Sequence, residues 1–127
     1  MPLIDVTCAA RAGDAVRARL AEVLPAAVSM AVACGDEPYD GNLQPGDVLI
    51  RFHDVGPFDR FHLDVLIEVK SKFFADRAEG RQAGADAILG AAQAALGADY
   101  RIGVYLALPV AAWAQSAVSD AAIRRPG

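Results

Sequence analysis

Cysteine is scarce in this chain: Cys8 and Cys34 are the only two among 127 residues. No Cys-x-x-Cys pair and no Cys/His spacing of a zinc site accompanies them, so both read as buried or half-buried free thiols. Long apolar runs are also missing. The longest uncharged stretch, Ile102–Ser119, is interrupted by Gly103 and Pro109 and carries Gln115 and Ser116, which argues against a membrane span. The first 20 residues contain Asp5, Asp14 and three arginines, which argues against a secretion signal and makes the cytoplasm the expected location. There is no basic stripe. The net charge is -4 and the terminal pair Arg124-Arg125 is short, so no nucleic-acid partner is expected. No Gly-x-Ser-x-Gly, phosphate loop or dinucleotide glycine pattern occurs. Asp and Glu are scattered without a metal constellation. No metal is therefore expected.

What remains is an apolar chain, 54% hydrophobic, long enough to bury a core as one domain over residues 1–127. Ile4, Val6 and Cys8 alternate with Asp5 and Thr7, the period of a half-buried strand. Asp14 follows Gly13 as a candidate helix cap, and Val16, Leu20, Val23, Leu24 and Val28 recur at helical spacing. Pro25 falls inside this helix and is expected to kink or split it. Gly35 is the expected stop, residues 35–47 read as a loop, and Val48–His53 reads as a second strand with Val48, Ile50 and Phe52 on one face.

The second half repeats the plan. Residues 61–70 alternate cleanly, with Phe61, Leu63, Val65, Ile67 and Val69 on one side. Asp76-Arg77-Ala78-Glu79 has the form of a capping box opening a helix to Leu96, with Ile88, Leu89, Ala92 and Leu96 as its buried stripe. The alanines at 83, 87, 91, 94 and 95 read as close-packing positions. Gly97 ends the helix, Tyr100–Leu108 is the last strand, and residues 109–127 form a tail anchored by Trp113. The order β-α-β, then β-α-β, predicts an α+β domain with halves at about 2–54 and 61–108. Parallel strands within each half would build a four-stranded mixed sheet with two helices on one face.

Two families fit this order: the ferredoxin-like fold, which says little about function, and the tautomerase superfamily. The opening Met1-Pro2-Leu3-Ile4-Asp5-Val6 favours the second. It resembles 4-oxalocrotonate tautomerase, macrophage migration inhibitory factor and 5-carboxymethyl-2-hydroxymuconate isomerase. Val6-Thr7-Cys8, Arg51-Phe52-His53 and Gly80-Arg81-Gln82-Ala83-Gly84 are most similar to the last of these. Arg101–Tyr105 and Trp113 are similar to the final strand and tail of migration inhibitory factor.

The resemblance implies loss of Met1, leaving Pro2 as a secondary amine that acts as general acid–base. It also implies a homotrimer with sites at subunit boundaries, no cofactor, and a small carboxylate substrate. A prolyl amine starts above the ordinary α-amino value of about 7.7–8.0, and an apolar site or a nearby cation would bring it toward neutrality. Arg51 is the first candidate to grip the carboxylate or the developing enolate. The alternative for it is a solvent-facing strand arginine. Arg11 lies near a functional arginine of 4-oxalocrotonate tautomerase, one residue out of step. Arg77 and Arg81 open the second helix, where related enzymes hold carboxylates; surface pairing with Asp76 and Glu79 is the alternative. His53 shares the face of Arg51, and Tyr105 could orient a ligand. The expected activity is proton transfer within an enol or unsaturated acid. The alternatives are a hydratase or decarboxylase of similar acids, and a non-catalytic binding module.

Overall fold

The computed structural model describes residues 2–33, 48–114 and 116. The loop expected at 35–47, the stop at Gly35, Cys34 and the tail beyond residue 116 lie outside the described residues. Seven elements follow in chain order: β1 (Leu3–Cys8), α1 (Asp14–Ala31), β2 (Leu49–Asp54), β3 (Val65–Lys70), α2 (Ala75–Glu79), α3 (Arg81–Leu96) and β4 (Ile102–Ala107). The strands form one sheet in the order β2-β1-β3-β4. β1 runs parallel to β2, β3 runs parallel to β4, and β1 and β3 meet antiparallel at the centre. Two parallel β-α-β units are thus joined back to back, the mixed sheet that the sequence order implies.

Alternation decides the two faces. Ile4, Val6 and Cys8 of β1 and Val65, Ile67 and Val69 of β3 are buried. They pack against Leu20, Leu24 and Val28 of α1 and Ile88 and Ala92 of α3. Both helical layers therefore cover the same face. The other face carries Leu3, Asp5 and Thr7, with Leu49, Arg51 and His53, Leu66, Glu68 and Lys70, and Tyr105. Gly84 lets α3 approach α1: a Cβ there would stand 3.1 Å from the Ala31 carbonyl oxygen and 3.3 Å from Leu106 Cδ2. No described helix is long and apolar enough to cross a membrane.

Several boundaries differ from the sequence expectation. Asp14 is the first helical residue and Gly13 occupies the cap, with no side-chain cap bond. The helix continues through Pro25 without dividing and ends at Ala31. The alternating run from Phe61 becomes strand only at Val65. β1 stops at Cys8, the partner of Val65; Asp64 still pairs through its backbone with Ala9 and Arg101, and residues 61–63 before it are not strand. The second helix is two helices. Phe74, not Asp76, is the N-cap of α2, no capping box forms, and the chain breaks at Gly80 before α3 begins. Ala83, Ala87 and Ala94 face outward rather than packing closely. Gly97 does end α3, at φ 85°, and its N–H returns to the Gln93 carbonyl at 2.8 Å.

Candidate active site

Pro2 stands at the head of the central strand and its side chain is fully buried. Its carbonyl accepts a hydrogen bond from Leu49 N–H at 3.3 Å. Continuing the ladders by one residue places Val48 beside it on the β2 side and Ser71 on the β3 side. Both are buried, at 7% and 3% exposed. By strand alternation Pro2 shares the helix-covered face with Ile4, Val6 and Cys8. Nearby, a hollow of about 110 Å³ is lined by Leu3, Lys70, Ser71, Lys72, Pro109 and Trp113, among others. Lys70 and Lys72 are the only lysines in the chain. They bracket Ser71, so two cationic residues fall at the end of the sheet where Pro2 stands. Sequence reasoning passed over them. The available signal was that both lysines fall two residues apart where the alternation of β3 ends.

The predicted site residues do not converge in the chain. Arg51 and His53 both reach Asp5 on the open face of the sheet. Arg51 Nη2 lies 3.0 Å from Asp5 Oδ1, and His53 Nε2 lies 2.7 Å from the same oxygen. Asp5 is held below the ordinary carboxylate range, first by the His53 hydrogen bond and then by Arg51, against the opposing effect of burial. Arg51 remains 70% exposed, so its guanidinium faces solvent while tied at one nitrogen.

Arg11 is at the other end of β1. Its Nη1 donates to Asp64 Oδ2 at 2.9 Å, and its guanidinium lies 4.5 Å over the Tyr100 ring. Asp64 also accepts from Arg101 N–H at 2.8 Å. That bond, followed by the charge of Arg11, holds Asp64 below the usual carboxylate range. Six strand residues separate Arg11 from the Pro2 end, roughly 20 Å at strand spacing.

Arg77 is buried. Its Nε donates to the Val32 carbonyl at 2.8 Å and its Nη1 to the Lys72 carbonyl at 2.6 Å. The guanidinium also lies 5.3 Å from the Phe74 ring. These bonds tie the end of α1 to the segment after β3, a structural use of the side chain that the surface alternative, pairing with Asp76 and Glu79, does not describe. Arg81 donates to the Ala78 carbonyl at 2.6 Å. It shares a shallow groove with Gln82 and Tyr105. Tyr105 is 66% exposed.

Cys8 is a buried free thiol, pushed upward chiefly by burial, and so remains protonated and unreactive. His62 is exposed beside the 57–60 turn. Among the described residues no group of three or more His, Cys, Asp or Glu side chains could hold a metal ion.

No family model matches the chain, and no curated protein matches it in sequence. Solved structures do match over most of its length. Malonate semialdehyde decarboxylase, described with decarboxylase and hydratase activities and solved in wild-type, mutant and inactivated forms, superposes with a TM-score of 0.65. The identity is 16%, over 95% of each chain. A wild-type fused 4-OT described as a symmetric trimer gives 0.57 at 19% identity, over 85% of each chain. A member of the cis-3-chloroacrylic acid dehalogenase family gives 0.58 at 15% identity, over 85% of this chain and 75% of that one. The chain has the tandem β-α-β fold of the tautomerase-superfamily enzymes that it resembles.

Proposed function

We propose that this protein is a cofactor-independent isomerase that moves a proton within a small enol or unsaturated carboxylic acid, with Pro2 as general acid–base. The observation that carries this reading is the burial of Pro2 at the head of the central strand, next to Leu3 in the chain and to Ser71 in the extended register, both of which line a small hollow with two lysines. Loss of Met1 would turn the Pro2 nitrogen from an amide into a secondary amine. Burial and nearby ammonium groups both disfavour its charged form, leaving a base at neutral pH. The amine takes the enol hydroxyl proton, leaving the enolate. The C=C pair then takes that proton from the ammonium at carbon, which regenerates the amine. Lys70 and Lys72 hold the carboxylate.

Arg11 reaches such a site only from a neighbouring copy, which accords with a homotrimer like the fused 4-OT. The same assembly would cover the open sheet face where Arg51, His53 and Tyr105 stand. Arg51 and His53 act there by closing Asp5 between them, and Arg81 with Tyr105 forms the rim. Arg77 is left to its structural bonds. The enzyme works in the cytoplasm. The likeness to malonate semialdehyde decarboxylase favours a second reading, hydration or decarboxylation of a similar acid on the same Pro2.

The test begins with intact mass, which is expected to show loss of one methionine. Phenylenolpyruvate ketonisation should then be followed for wild type, Pro2→Ala and the Lys70→Ala/Lys72→Ala double variant. Pro2→Ala should lower kcat by about 100-fold or more, the low end of a positioned general base. The lysine variant should raise KM about 10-fold, a modest loss for charge-assisted carboxylate contacts. Equal rates for wild type and Pro2→Ala would sink the proposal.

A further inference from the structure

Two buried hydroxyl oxygens have no hydrogen-bond partner among the described residues, those of Ser29 and Ser71. Ser29 belongs to a half-buried position within α1. Ser71 is different: it is only 3% exposed and is one of the residues lining the hollow with Leu3, Lys70 and Lys72. Its backbone N–H is paired, donating to the Ala107 carbonyl at 3.1 Å. The hydroxyl is left over. Buried hydroxyls are nearly always paired, because an unpaired one forfeits its bonds to water. Alanine would fill the same space without that loss. A serine at this position therefore calls for a partner from outside the fold.

Its place indicates which partner. Ser71 follows Val69 by two residues, so alternation turns it to the face that Pro2 occupies, and the extended ladder sets the two side by side. Lys70 and Lys72, on either side of it, point to a carboxylate. A neutral hydroxyl on a residue that lines the same hollow as the two cations suits the uncharged oxygen next to that carboxylate. We infer that Ser71 Oγ donates a hydrogen bond to the C2 oxygen of a 2-oxo acid or its enol. It thereby selects such acids over those lacking that oxygen. The inference rests on the proposed function for the location of the site, and its test does not require turnover.

A site built to bond one oxygen rejects an analogue without it, because its own polar group is then left unpaired. Phenylpyruvate and 3-phenylpropionate differ at C2 in this way. Their affinities should be measured by calorimetric titration on wild type and Ser71→Ala, together with the melting temperature of each. Wild type is expected to prefer phenylpyruvate by about 10-fold, the loss of roughly one hydrogen bond. Ser71→Ala should bind the two acids equally, with 3-phenylpropionate unchanged, and should melt no lower than wild type. A serine serving the fold alone would lower the melting temperature and leave the preference intact, which overturns the inference. So does a wild type that binds neither acid or shows no preference. A Ser71-dependent preference in a protein whose turnover ignores Pro2→Ala would uphold the inference while removing the catalytic reading.

Discussion

Arg77 offers a sharp test of the fold's energetics. Its guanidinium donates to two carbonyls, Val32 at 2.8 Å and Lys72 at 2.6 Å, and the residue is only 5% exposed. A hydrogen bond from a charged donor contributes about 1.5–3 kcal/mol. Arg77→Ala removes both and leaves two carbonyls facing the vacated space. Water entering that space recovers part of the loss, so the net cost should be about 3 kcal/mol. For a domain of this length 1 kcal/mol moves the melting temperature by roughly 4 °C, which predicts a fall of about 12 °C. Arg77→Lys keeps the charge but not the planar fork, and should recover less than half of the loss. Urea unfolding at fixed protein concentration gives the free energy directly, and fixing the concentration removes any contribution from assembly. A change below about 0.5 kcal/mol, the range of ordinary surface substitutions, would refute the reasoning. If turnover fell while stability held, the guanidinium would belong to the substrate and not to the fold.

Two further outcomes follow from the geometry. Asp5 is depressed below its ordinary value, so its contribution to stability is present above the unfolded carboxylate pKa of about 3.9 and is lost as pH falls through the lower folded value. Asp5→Asn should therefore melt below wild type at pH 7 by about 1 kcal/mol equivalent, a small figure because Arg51 and His53 are well exposed. The two melting curves should converge below pH 4, and a gap that widened in acid would contradict the assignment. Leu24 is fully buried where α1 meets the sheet. Leu24→Ala should cost about 3 kcal/mol by urea unfolding, the middle of the range for such cavities.

The fold was largely legible in the sequence, because the period-two pattern of Ile4, Val6 and Cys8 and of Val65, Ile67 and Val69 reports burial, and burial sets the facing of the sheet. Strand ends were less legible. Alternation from Phe61 continues past the point where β1 stops, and side-chain pattern carries no information on whether a backbone partner is there. The break at Gly80 was hidden because the surrounding residues favour helix on both sides. Of the proposed site, Pro2 was singled out in the sequence by its position after Met1. Arg77 reads as a surface charge until the open carbonyl end of α1 is known to need a donor. Arg51 and His53 were placed on the correct face, but their common partner Asp5 is on another strand, and only the register brings it between them. Lys70, Ser71 and Lys72 looked like an ordinary polar strand end until the antiparallel ladder carried them to Pro2.

The central placement of β1 has a consequence for maturation. Six registered pairs on each side lock this strand, and a slip of one residue would turn Asp5 and Thr7 into the core and Ile4, Val6 and Cys8 out of it. The coordinates of residue 2 are thus dictated by hydrophobic positions that take no part in chemistry. Cleavage of the Met1–Pro2 bond would alter what the nitrogen is without altering where it is. The folded protein would hold the same pocket before and after, and a peptidase acting once on the chain would be the step that makes it reactive.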